Sequence, residues 1–173
     1  MRITSTLVAA ALAACLPLAH AQGGAPNDAQ IAHIVVTANQ VDIDAGKLAE
    51  SKASNAQVKG FGKQMVTDHT AVNQQATALV TKLKVAPEDN PTSQALKSGG
   101  ADNVKRLQGL SGAAFDKAYV DHEVAYHEQV LAAIDKTLVP NAKNEELKAL
   151  IVKVRPAFVG HLEHAKQIQA TLK

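Results

Sequence analysis

Residues 56–84 read AQVKGFGKQMVTDHTAVNQQATALVTKLK. Val58, Gly62, Met65, His69, Val72, Ala76, Leu79 and Leu83 recur at spacings of three and four, which puts them on one face of an α-helix. Asn55, just before the run, has the side chain of an N-cap. The face is apolar except near its centre, where His69 stands. A polar ring on the buried side of a helix needs a partner inside the fold. This stretch therefore predicts a long helix of about 29 residues with a buried polar group partway along it.

The pattern recurs on either side. A first helix is expected from Asp28 to about Ala53, with Ile31, Val35, Ala38, Asp42, Ala45 and Ala49 on one face and Val41 and Leu48 widening it. A third long helix is expected behind a Ser111 cap, from Gly112 to about Leu138. Its stripe is Val120, Val124, His127, Leu131, Ile134 and Leu138, and Phe115, Tyr119, His122 and Tyr126 lie beside it. The last long helix runs from Asn144 to about Leu172 with Leu147, Ile151, Val154, Phe158, His161, Ala165 and Ile168 on its stripe. Pro156 lies inside it and is expected to kink it, because the carbonyl of Val152 loses its donor. Pro140 and Asn141 mark a turn, and Pro87 and Pro91 a loop. Between residues 92 and 110, Thr92 is placed to cap a short helix that Gly99 and Gly100 weaken.

No segment sustains period-two alternation, so the fold is expected to be all-α. With three Phe, two Tyr and no Trp, the core must be filled by Ala, Leu, Val and Ile, which suits closely packed helices. The tight connections make the first two long helices antiparallel, and likewise the last two. Residues 85–111 form one long crossover between the two hairpins, carrying the short extra helix. That is the arrangement of a ferritin-like four-helix bundle.

The polar positions then fall into register. Asp42 and His69 are equidistant from a turn near residues 55 and 56. About a turn near 141 and 142, His161 stands level with His122, and His127 is five residues away, about 7.5 Å along the axis. Asp42, His69, His122, His127 and His161 thus share one half of the core. Glu123 joins them at i, i+4 from His127, and His161 and His164 are i, i+3. Three readings are open. The first is a transition-metal site, since imidazole with carboxylate suits zinc, iron, copper or nickel. The second is a structural layer in which each histidine donates to an aspartate or a carbonyl and fixes helix register. The third is an envelope or protein interaction module without metal. A di-iron carboxylate oxidoreductase is disfavoured because no Glu-x-x-His motif occurs in the chain. His33 and His164 are expected at the surface. With no nucleophile elbow, nucleophilic catalysis finds no support, and no catalytic residue is assigned.

The N-terminus reads as an export signal over residues 1–21: Arg2, an apolar run from Leu7 to Leu18, and a small-x-small site at Ala19-His20-Ala21. A linker at residues 22–28 and a bundle domain at residues 29–173 follow, in the periplasm or secreted. Leu12-Ala13-Ala14-Cys15 also resembles a lipoprotein box, whose alternative product is anchored through Cys15. Cleavage after Ala21 is preferred because Leu16 to Leu18 continue the apolar run past the cysteine. Cys15 is the single cysteine, so the cleaved chain has no thiol for disulfides, thiolate metal sites or iron–sulfur clusters. The run is too short for a permanent membrane span, and no later segment has the length without charges. Lys and Arg number 18 against 16 Asp and Glu, with no basic cluster, so nucleic acid is not an expected partner.

Several of these residues occur together in a known pattern. Gly46-Lys47-Leu48-Ala49, Met65-Val66-Thr67-Asp68-His69 with Asn73, Phe115-Asp116, Tyr119, His127, Pro156 and His161-Leu162 make the chain resemble the domain-of-unknown-function 4142 family over about residues 29–172. The resemblance implies a ferritin-like bundle in the bacterial periplasm or envelope. It implies no catalytic residues, and His122 and His164 fall outside its pattern.

Overall fold

The computed structural model describes residues 24–172. The expected export signal, the cleavage site after Ala21 and Cys15 lie outside the described residues. The described chain is helical: α1 Asp28–Lys52, α2 Ala56–Leu83, α3 Pro91–Gln108, α4 Gly112–Ala133, a π-helical turn Ile134–Leu138, a short α5 Val139–Asn141, and α6 Glu145–Thr171. None of these helices is long and apolar enough to cross a membrane.

Asparagine caps set most of the starts. Asn27 and Gln30 form a reciprocal capping box on α1, Asn55 accepts from the N–H groups of Gln57 and Val58, and Asn144 accepts from those of Glu146 and Leu147. Ser111 holds the cap position of α4, yet its side chain accepts no capping bond. Two expectations change in the crossover. α3 is eighteen residues long rather than short, and its cap is Asn90, not Thr92. The helix runs through both glycines, and Gly100 has a packing role: a Cβ there would come within 2.7 Å of Val41 Cγ2, so glycine lets α3 lie close against α1.

The turn expected at Pro140 and Asn141 is helical instead. Pro140 lacks an N–H and its ring crowds the carbonyl four residues back. The chain answers with a wider turn, in which the Val139 N–H bonds to the Ile134 carbonyl, five residues earlier. The actual reversal falls at residues 142–144. α6 stays helical through Pro156, which is exposed, and the neighbouring freed carbonyl belongs to solvent-facing Val152.

The helices make two hairpins, α1/α2 and α4/α6, with α2 against α6 and α3 lying along α1. Two carboxyl groups clamp them reciprocally. Asp28, in the first turn of α1, accepts from the Lys143 and Asn144 N–H groups at 2.8 and 3.0 Å, at the turn of the second hairpin. Asp116, in the first turns of α4, accepts from the Ser54 and Asn55 N–H groups at 3.0 and 2.9 Å and from the Ser54 hydroxyl, at the turn of the first. Gly46 and Gly62 bring α1 and α2 together, since a Cβ on Gly46 would stand 2.8 Å from the Gly62 carbonyl.

The apolar core is divided in two. One cluster, including Ile31, Val72, Ile134, Ile151 and Phe158, fills the end near the α4/α6 turn. The other, including Phe61, Met65, Leu107, Phe115 and Tyr119, fills the end near the α1/α2 turn. Each fully buried large side chain contributes about 1.5–3 kcal/mol. The polar residues lie in between.

Candidate metal centre

Four helices deliver five buried polar residues to this middle layer: Asp42 from α1, His69 from α2, Glu123 and His127 from α4, and His161 from α6. None is more than 3 % exposed. The three imidazoles form a triangle, with centroids 5.7 Å apart for His69 and His127, 5.2 Å for His69 and His161, and 5.5 Å for His127 and His161. One ring nitrogen from each lies within 4.8 Å of the others. Phe158 stacks on His69 at 5.0 Å and closes that side.

Hydrogen bonds fix which nitrogen of each ring carries the proton. Asn39 donates through Nδ2 to the Val35 carbonyl at 2.9 Å, so its Oδ1 faces His69 Nδ1, 2.7 Å away, and accepts from it. His127 Nδ1 lies 3.0 Å from the Glu123 carbonyl, which can only accept. His161 Nε2 lies 2.9 Å from Asp68 Oδ2. Each ring therefore donates outward. His69 Nε2, His127 Nε2 and His161 Nδ1 keep their lone pairs, and all three are buried with no hydrogen-bond partner. A structural layer would satisfy both edges of such rings. Outward donation from one nitrogen with the other left bare is the arrangement that orients metal-binding imidazoles.

Protonation agrees with this. Burial, together with the other two rings, holds His69 down to about 2, and burial holds His127 down to about 4. Burial also lowers His161, with Asp68 pulling the other way. The rings are neutral near pH 7, as ligation requires.

The carboxyl groups stand at the other edges of two rings. Asp42 Oδ2 is 3.5 Å from His69 Nδ1, and Glu123 Oε2 is 3.5 Å from His127 Nδ1. One oxygen from each carboxyl and a nitrogen of His127 lie within 4.8 Å of one another. Burial pushes Asp42 well above the usual carboxylate range, with Glu123 adding to it, and burial raises Glu123 to about 8. Asp42 Oδ1 and both Glu123 oxygens receive no other hydrogen bond. Two carboxyls this close in a dry core do not both ionise.

The structure brings five of the six sequence-predicted residues together and separates the sixth. His122 is half-buried with its ring stacked on Tyr126 at 5.6 Å, and His161 faces His127 instead. The cause is the π-helical turn: with the reversal at 142–144, the α4/α6 pairing moves toward the C-terminus of α4, as the Arg155–Asp135 ion pair at 2.7 Å shows. His164 is half-buried, 3.0 Å from Gln64 Oε1, and lies edge-on to Phe61. His33 is also partly buried, 3.7 Å from Asp89. Sequence reading missed Asn39 and Asp68 as the outer partners of His69 and His161. Asn39 stands three residues before Asp42, and that spacing was its one available signal.

No curated protein and no solved structure matches the chain. A family model does, over residues 13–168, with the description Domain of unknown function (DUF4142). The match takes in every residue of the buried layer and its outer partners, and the chain belongs to the DUF4142 family.

Proposed function

We propose that this protein binds one first-row transition-metal dication through His69, His127 and His161. The observation that carries the reading is the set of three lone-pair nitrogens, buried and unpartnered, on three different helices. Ligands at about 2.1 Å from a common ion stand at most about 4.2 Å apart, and one nitrogen from each of the three rings lies within 4.8 Å of the others. Three neutral imidazoles suit zinc, iron, copper or nickel and leave at least one position for water or a small molecule. Asp42 and Glu123 supply charge compensation: once both have lost their protons, their two negative charges balance the dication inside a core where an unbalanced charge is costly.

The interaction reading has less support. Among the described residues the exposed large hydrophobic side chain is Val152, far short of the patch an apolar docking surface needs. On this reading residues 1–21 are an export signal and the bundle works in the periplasm or outside the cell.

Metal analysis of untagged protein tests the proposal. After titration with zinc, iron, copper and nickel and desalting, the expected result is one equivalent of bound metal, lost in both His69→Ala and His161→Ala and kept in His122→Ala. Folded protein that holds none of the four metals would leave the histidines as a structural layer.

A further inference from the structure

Two spaces in the fold approach the polar layer. On the side of α1, α3 and α4 a groove of about 470 Å³ opens, lined by Ile34, Leu96, Tyr126, Gln129 and Thr137 among others, with no charged side chain. Deeper in the bundle lies a cavity of about 30 Å³, walled by aliphatic side chains and Phe158. Its polar lining is Asn39, Asp42 and His69, the edge of the histidine centre. Ala38, Val130 and Leu138 line both spaces, so these three side chains form the partition between them.

One of the three partition residues sits on unusual backbone. Leu138 closes the π-helical turn, Ile134 opens it into the inner cavity, and Thr137 faces the outer groove. A π-helical turn sets side chains at angles that a regular helix does not, and such turns occur often at functional sites. Here it follows from Pro140, and it places a change of side-chain direction at the one wall that divides groove from centre.

We propose that groove and cavity form an entry path by which a small, uncharged molecule of diatomic size, dioxygen or one of similar bulk and polarity, reaches the histidine centre through a gate of Ala38, Val130 and Leu138. Size and polarity select the class. The inner cavity has room for about two water-sized bodies, which excludes sugars, nucleotides and peptides. Outside the Asn39, Asp42 and His69 edge its walls are apolar, and so is the partition of Ala38, Val130 and Leu138, which a charged solute would pay heavily to cross. The outer groove is large enough to gather such molecules and has no charged side chain to hold an ion. The path rests on the metal reading and brings the molecule to the Asn39, Asp42 and His69 edge of the centre, one ring away from His127 and His161.

Two probes test it, one with metal and one without. In the metal-free protein, xenon is expected to bind saturably and shift the nuclear magnetic resonances of the His69 ring. Val130→Trp and, on a different helix, Ala38→Phe are expected to abolish that shift, while Leu138→Ala strengthens it. In the iron(II)-loaded protein, nitric oxide is expected to bind the metal severalfold more slowly in Val130→Trp than in the wild type, at unchanged metal content. The path is overturned if xenon leaves the His69 resonances unmoved in the wild type, if folded Val130→Trp and Ala38→Phe both respond to xenon as the wild type does, or if nitric oxide binds at equal rates with and without the block. A wild-type protein that takes up no metal would sink the metal reading alone, and the xenon arm would then decide the path by itself.

Discussion

Glu123 is fully buried between His127 and Asp42 and receives no hydrogen bond from any donor on a neighbouring helix. It is the residue through which pH acts on this core. Its folded value of about 8 stands above an ordinary 4.5, so its stabilising contribution is full below 4.5 and is lost as pH rises toward 8. The imidazoles act in the opposite sense. His69 and His127 are lowered to about 2 and about 4 from 6.5, so their contribution is full above 6.5 and is lost as pH falls through those values. With the histidines outnumbering the carboxyls, metal-free protein should be most stable close to pH 6.5 and weaken on both sides, which denaturant unfolding across pH 4–9 will show. Metal binding near pH 7 should release protons from the carboxyl pair. Calorimetric titration in buffers of different ionisation enthalpy would count them, and Glu123→Gln should release fewer.

Among elements, the joints matter more than the helices they connect. Asp116 holds the α1/α2 turn by two backbone N–H groups and a hydroxyl while itself buried. Asp116→Ala should cost about 1–3 kcal/mol in urea unfolding, because the Ser54 and Asn55 N–H groups and the Ser54 hydroxyl lose a charged acceptor that fixes the turn. At the α1/α2 crossing, a Cβ on Gly62 would meet Ala49 Cβ at 2.8 Å and the Gly46 carbonyl at 2.9 Å. Gly62→Ala should therefore destabilise by about 1–3 kcal/mol through overpacking, whereas Gly60→Ala, which meets nothing within 4 Å, should not. How far the elements were legible follows from where their information lies. The α1/α2 hairpin is set by local signals, a stripe, a cap and a short turn, so Asp42 and His69 were placed level from sequence and are in contact. The α4/α6 hairpin was misregistered because Pro140 reads as a helix stop, whereas tertiary packing kept the helix going through a π-helical turn. That displacement exchanged His122 for His127 opposite His161. The role of Asp68 was invisible for a different reason: its partner is 93 residues away, and no local periodicity encodes such a pair.

For the whole molecule, the two hairpins are bound by exchange: a carboxyl near the start of each holds the turn that joins the helices of the other, through Asp28 and through Asp116. The buried triangle obeys the same division, with His69 from the first hairpin and His127 and His161 from the second. Nothing in these contacts requires a continuous chain between residues 84 and 90. A protein nicked in that stretch should stay assembled as two complementary fragments. Its subunits, if separated in denaturant and mixed, should reassociate more tightly with zinc than with a chelator, as native gel shift or analytical ultracentrifugation would record. On the proposed metal reading the histidine triangle is a seam: an ion placed in it would fasten one half of the molecule to the other, and the strength of that fastening would follow how much metal the surroundings supply.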